Sequence, residues 1–285
     1  LKLHRSHEPN SIYRLIRAAT LDCGRVVPDR EIIGAISDAA RILKSHTHRE
    51  IRGMDGKPAA TSCWPCLDVC LRAQVYREEL AHVGGLERSL IRTSPVPVGM
   101  EAPAETYVVP LMGDCLLCCG TTVSSFETKP LHEWIGSLSR QQFMVPSPMA
   151  SKWGGTRSQG KPSMHTLSNT GARRFLVVEF DDAPGLTQIA ILHHLAKFAP
   201  LVMILFSGGK SFHGWFYCEG CPEEKVKVFF NYAVQLGADP RTWARSQFVR
   251  VPGGTRLREG TAVKQSVLYF DPTNLTPRSL QKCAQ

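Results

Sequence analysis

From residue 105 onward the chain is cut into short β-rich runs, with two longer helical stretches set among them. The runs are TYVVPL, CLLCCG, QFMVPSP, RFLVVEFDD, LVMILFSGG, SFHGWFYC, SQFVRVPGG and SVLYFDP, and the helical stretches cover residues 187–198 and 222–237. Strands alternating with helices, together with a hairpin-like pair, point to an α/β or α+β domain. The first hundred residues read differently. NSIYRLIRAATLD and PDREIIGAISDAARILKSHT carry apolar residues at helical spacing, the second with Pro28 and Asp29 as a start signal, and a third helix is predicted from Asp68 to about Arg92. The Pro-rich, aperiodic TSPVPVGMEAPAE (93–105) reads as the linker behind them. The expected organisation is a small helical domain over 1–104 followed by an α+β domain over 105–285.

At 285 residues, with 43% hydrophobic and 21% charged side chains, the chain has the makings of an ordinary folded protein, and disorder, collagen and coiled coil are excluded. Its longest uncharged apolar stretch, Phe198 to Phe206, is nine residues and contains Pro200, far short of the roughly 20 that span a bilayer. No membrane span and no secretory leader are expected, and a cytoplasmic or nucleoid-associated location follows. The net charge of +9 is concentrated: from Arg241 to the end, eight basic residues stand against two acidic ones. Such a tail suits a phosphate-bearing partner. Ten cysteines without a secretion signal argue against a disulfide framework. Cys63, Cys66 and Cys70 are spaced C-x2-C-x3-C, and Cys115, Cys118 and Cys119 form a second cluster inside DCLLCCG, which reads as a buried strand. Structural Zn²⁺ is therefore the weaker reading beside burial as small apolar side chains.

Three segments carry chemistry. In RFLVVEFDD, strand alternation puts Phe175, Val177, Glu179 and Asp181 on one face and Leu176, Val178 and Phe180 on the other. Two carboxylates so placed repel unless a cation joins them, and their hard oxygens suit Mg²⁺ or Mn²⁺. In LVMILFSGGKSFHGWFYC, a glycine turn joins two strands and Ser211, His213, Trp215 and Tyr217 share a face. GGKS is not a P-loop, because Ile204 replaces the required glycine and a strand follows instead of a helix. What remains is a donor-rich turn of backbone N–H groups, Lys210, Ser211 and His213. In GADPRTWARSQFVRVPGGTR, Asp239 precedes Arg245, Gln247, Arg250 and Arg256, arginines spaced for bidentate contact with phosphates; Arg241 and Arg258 read as exposed charge.

Taken in this order, Glu179-x-Asp181, Ser211-x-His213 and Asp239 before SQFVRVPGGTR resemble the catalytic domain of archaeo-eukaryotic primases, nearest the primase-polymerases of plasmids, phages and mobile elements. The likeness covers about residues 105–285 and is strongest over 171–270. It implies a primase-polymerase catalytic domain with a mixed β-sheet and an RRM-like catalytic half. It also implies template-directed nucleotidyl transfer that makes primers on single-stranded DNA from NTPs or dNTPs. Carried over residue by residue, Glu179, Asp181 and Asp239 hold two metals, Mg²⁺ or Mn²⁺. Ser211 and His213 contact the nucleotide phosphates, and Lys210, Arg250 and Arg256 clamp them in support. His213 and the arginines would offset charge developing on the phosphates.

The first acid is Glu179 where the family more often has Asp, which leaves Asp182 as a substitute ligand, and Asp271 competes with Asp239 for the third position. Trp153, Trp215 and Trp243 are candidate stacking surfaces, with core packing favoured for Trp215. Residues 151–171, polar and rich in Gly and Ser, read as a mobile loop at a site. No helicase motif occurs, so a separate replicative helicase is a candidate partner. The alternative reading is a non-catalytic, DNA-binding replication-initiation protein on a decayed primase fold.

Overall fold

The computed structural model describes residues 13–14, 16–17, 28–30, 32–34, 36–37, 64–82, 91, 93–99, 101–156, 161–258 and 260–276. By packing, the chain divides into two compact units, 1–63 and 64–285. In the first unit the described residues are almost all helical, and Ile32 and Ile36 bury against Tyr13 and Ile16. An Arg17–Asp29 ion pair at 3.3 Å lies beside this small core. The remainder of the two helices expected here, and Cys63, lie outside the described residues.

The second unit opens with α1 (Val69–His82) and α2 (Glu105–Met112) and then runs through β1 (Leu116–Gly120), β2 (Phe126–Pro130) and β3 (Phe143–Met144). A short pair, β4 (Gly154–Gly155) and β5 (Pro162–Ser163), precedes β6 (Phe175–Glu179), α3 (Gly185–Leu195), β7 (Leu201–Phe206) and β8 (Phe212–Tyr217). After α4 (Glu223–Gln235) come β9 (Val249–Arg250), β10 (Thr255–Arg258), β11 (Thr261–Lys264) and β12 (Val267–Phe270). The class is α+β, as the run pattern predicts. Residues 106–111 are a correction: TYVVPL reads as a strand but forms most of α2. Tyr107, Val108, Leu111 and Met112 recur at helical spacing and are all buried, so packing of one helical face overrides the β-propensity of Tyr-Val-Val.

Two four-stranded sheets carry the unit, in the orders β2-β1-β3-β9 and β12-β7-β8-β6. Every adjacent pairing in them is antiparallel, so the sheet is not mixed as expected. The succession β6-α3-β7-β8-α4-β12 has the β-α-β-β-α-β pattern, but β12 lies beside β7, whereas an RRM sets its last strand beside its first. The detour through β9 to β11 brings the chain back on the β7 side, where Phe206 N donates to Ser266 O at 2.8 Å.

The alternation predicted for β6 holds on both faces. Leu176, Val178 and Phe180 pack with Ile189, Leu192, Phe229 and Phe230 of the helical layer, while Phe175 and Val177 pack with Trp215, Leu117, Met144 and Val249 between the sheets. α1 belongs to the helical layer. Its Val75 enters that core, and buried Glu79 accepts from Lys197 and bonds His193 Nδ1 at 2.6 Å and His194 Nδ1 at 3.2 Å. Burial alone would push Glu79 up, but these partners hold its carboxyl below the ordinary range.

Candidate functional site

β6 and β8 are in register Glu179↔His213, so the last residue of one strand faces the second residue of the other. His213 Nε2 lies 3.0 Å from Glu179 Oε2, with the imidazole buried and the carboxylate at the rim of a cleft. Asp181 follows two residues on and stays exposed. Asp239 reaches the same corner through the backbone: its N–H donates to Glu179 O at 2.9 Å, and its carboxylate caps the turn Pro240–Trp243 by accepting from Arg241 N at 3.0 Å. The β7–β8 turn borders the acids. Gly208 adopts φ +75°, where a side chain would be strained, and Lys210 Nζ donates to Asp181 O at 2.5 Å. Gln188 of α3, fully buried, fastens this turn by accepting from Phe212 N at 2.8 Å and donating to Lys210 O at 3.2 Å and Ala183 O at 2.6 Å.

The opposite wall comes from the other sheet and the β10–β11 hairpin. Phe143, Gln247, Phe248, Arg250, Arg256 and Arg258 close a cleft of about 390 Å³ against Glu179, Asp181, Lys210, Ser211 and His213. The Arg250 guanidinium lies 4.5 Å from the Phe143 ring centroid, and among the described residues neither its buried Nη1 nor His213 Nδ1 has a hydrogen-bond partner. A Cβ on Gly209 would stand 2.7 Å from Arg256 Nη1, so glycine lets this arginine approach the turn.

Charge in the cleft is unevenly matched. Burial first, then the negative Asp239 and Asp181, push Glu179 up to about 7. Burial first, then Arg250 and Arg256, push His213 down to about 3. Burial and Arg256 bring even Arg250 down to about 10. Held down in this way, the His213 imidazole favours its neutral form, which donates or accepts a hydrogen bond.

Seven of the eight residues singled out in the sequence line this cleft, and Asp239 adjoins it through the Glu179 backbone. Asp271 does not join them. It lies past the end of β12, which forms the opposite edge of the four-stranded sheet from β6. Its carboxylate is engaged by Thr273, Asn274 and Tyr269. Asp182 is exposed beside Asp181. Trp215 is core; Trp243 is stacked on Phe230 at 5.5 Å with Arg173 over it, and Trp153 remains exposed. Of the Gly/Ser-rich segment, residues 157–160 lie outside the described residues. The rest is tied by buried Asn169, which accepts from Thr166 N at 2.9 Å and donates to Ser151 O at 3.1 Å, and it contributes nothing to the described cleft lining. Cys118 and Cys119 belong to cores on opposite faces of β1, and burial raises the thiols of Cys115 and Cys118 to about 11.

The sequence reading missed Gln188 and the aromatic pair Phe143 and Phe248; it read Arg241 and Arg258 as exposed charge, and both are exposed, Arg258 at the cleft. A lone glutamine inside the apolar stretch TQIAILHHL was the available signal for the first. Arg241 is indeed exposed, but its Nη2 sits 2.8 Å from both Asp181 Oδ2 and Asp239 Oδ2. The donor set suits a hard divalent cation in kind: three carboxylates, two of which push the third up by repulsion that a cation would relieve. As arranged, with Arg241 between two of them, no three such side chains among the described residues converge on one point.

What fold and site define is an α+β protein with a cleft between two antiparallel sheets, one wall bearing carboxylates and the other guanidiniums and aromatic rings. Compared with protein families, curated proteins and solved structures, the chain has no match in any of the three. Among the described residues no helix is long and apolar enough to cross a membrane.

Proposed function

We propose that the chain is a primase-polymerase: a metal-dependent nucleotidyltransferase of the archaeo-eukaryotic primase type, extending strands on a single-stranded DNA template. The observation that carries this reading is a cleft of about 390 Å³ lined by Arg250 and Arg256 together with Glu179 and Asp181, Arg250 having a buried Nη1 with no hydrogen-bond partner among the described residues. A desolvated donor of this kind calls for an anion, and the acids opposite call for a cation; a metal-bound triphosphate supplies both. Glu179, Asp181 and Asp239 would hold Mg²⁺ or Mn²⁺, which when bound lowers the pKa of an attacking hydroxyl and offsets phosphate charge. Arg250, Arg256 and Lys210 bind and orient the phosphates, with the Ser211 hydroxyl in support. Neutral His213 keeps Glu179 positioned by their 3.0 Å contact. Phe143 and Phe248, packed on one another at 4.9 Å, give the cleft an apolar end beside Gln247 that suits the nucleoside.

One observation favours a second reading. Arg241 already neutralises Asp181 and Asp239, as it would in a non-catalytic DNA-binding protein on the same fold. Primer synthesis and extension on single-stranded DNA separate the two, with Mg²⁺ or Mn²⁺, with NTPs and dNTPs supplied separately, and with a Glu179→Ala/Asp181→Ala variant beside the parent. Product from the parent alone supports the enzyme and shows its sugar preference. No product from either protein, with single-strand binding retained in a shift assay, supports the second reading.

A further inference from the structure

We propose that Arg241 is a built-in counter-cation, held between Asp181 and Asp239 until a divalent ion displaces it, so that this side chain sets the metal affinity of the acidic corner. The inference rests on the reading that these acids hold a metal. One guanidinium serves both carboxylates: Nη2 lies 2.8 Å from Asp181 Oδ2 and from Asp239 Oδ2, and Nε donates to Asp239 Oδ1 at 3.0 Å and Oδ2 at 2.8 Å.

Its backbone is fixed. The Asp239 N–H bonds Glu179 O, Thr242 Oγ1 donates to Asp239 O at 3.0 Å, and Arg173 Nη2 donates to Trp243 O at 2.8 Å, so both ends of the turn are fastened. The side chain is not fixed by burial: it is 75% exposed, whereas the Asp239 side chain is 9% exposed. The arginine can return to water at small cost while the aspartate stays in place. An exposed ion pair is a weak one, and a divalent ion ligated by the same oxygens is a strong competitor. If the arm is in place in about nine molecules of ten, metal binding is weakened about tenfold relative to an arm-out protein.

The test is Mn²⁺ binding to the full chain without nucleotide, read by the electron paramagnetic resonance signal of free Mn²⁺, for the parent, Arg241→Ala and Arg241→Lys. Arg241→Ala should bind Mn²⁺ about tenfold more tightly, with Arg241→Lys between it and the parent. A thermal melt checks that the variant folds and adds a second reading: without metal it should melt below the parent, and Mn²⁺ should restore it by a larger shift. Equal or weaker Mn²⁺ binding by a folded Arg241→Ala overturns the proposal while leaving the metal reading intact. Absence of Mn²⁺ binding in all three proteins overturns both.

Discussion

At the scale of single residues, the cleft sets groups of opposite charge preference a few ångströms apart, and each substitution has a directional consequence. Asp181→Asn keeps shape and removes charge, so it should abolish nucleotide incorporation while the melting temperature stays within a few degrees of the parent. Retained synthesis would hand the ligand role to Asp182. Arg250→Ala should weaken nucleotide binding at least tenfold and template binding much less, since this guanidinium lines the cleft beside Arg256; equal losses would put it on the template. The Glu179–His213 pair gives a pH signature. Glu179 has a pKa of about 7 in the fold against an ordinary 4.5, so the fold loses stability as pH climbs through that window. His213, pushed from 6.5 to about 3, makes the fold lose stability as pH drops from 6.5. Between 4.5 and 6.5 the two oppose one another. In Glu179→Gln only the histidine contribution remains, so its unfolding free energy should rise with pH there, by up to roughly 1.4 kcal/mol per unit more than the parent's. Urea unfolding across that range reads it, and parallel curves would mean that Glu179 titrates ordinarily.

At the scale of elements, strand alternation made one wall legible in two pieces: the two-residue period is local, so Glu179 with Phe175 and Val177 on β6, and His213 with Trp215 and Tyr217 on β8, follow from the chain itself, while the pairing that joins Glu179 to His213 does not. The opposite wall was legible as arginines but not as a wall. That β9 comes to lie across from β6 depends on how two sheets stack, and Phe143 enters only because β3 pairs with β9. The helix at 105–112 was misread because a short run of Tyr and Val serves either structure until its burial partners are known. Gln188 is an element-scale device, one side chain bonding three main-chain groups around the β7–β8 turn. Gln188→Leu should lower stability by roughly 2–4 kcal/mol in urea unfolding, because it strands a buried N–H and two carbonyls. An unchanged midpoint would show that water replaces those bonds.

At the scale of the molecule, the texture of the sequence changes near 105 while the packing unit begins at residue 64. The two differ because composition reports helix or strand, whereas unity of a core is set by contacts such as Val75 and Glu79 with the α3 layer. A fragment of residues 64–285 should unfold cooperatively with a melting temperature close to the parent's. Starting instead at 105 removes Val75 and leaves His193, His194 and Lys197 without their shared carboxylate, and should lower the melting temperature by at least 10 °C. Calorimetry on the two fragments decides it.

The division of the cleft between two sheets has its own consequence. Glu179 and His213 hang from one hydrogen-bond ladder and Arg250 from another, the sheets being joined by side-chain packing and by main-chain bonds outside both ladders, such as Phe175 N–H to Pro146 O at 3.3 Å. The two walls are therefore separately editable parts. A redesign of ligand preference can rewrite β9 and the β10–β11 hairpin while every hydrogen bond that spaces the carboxylates stays as it is.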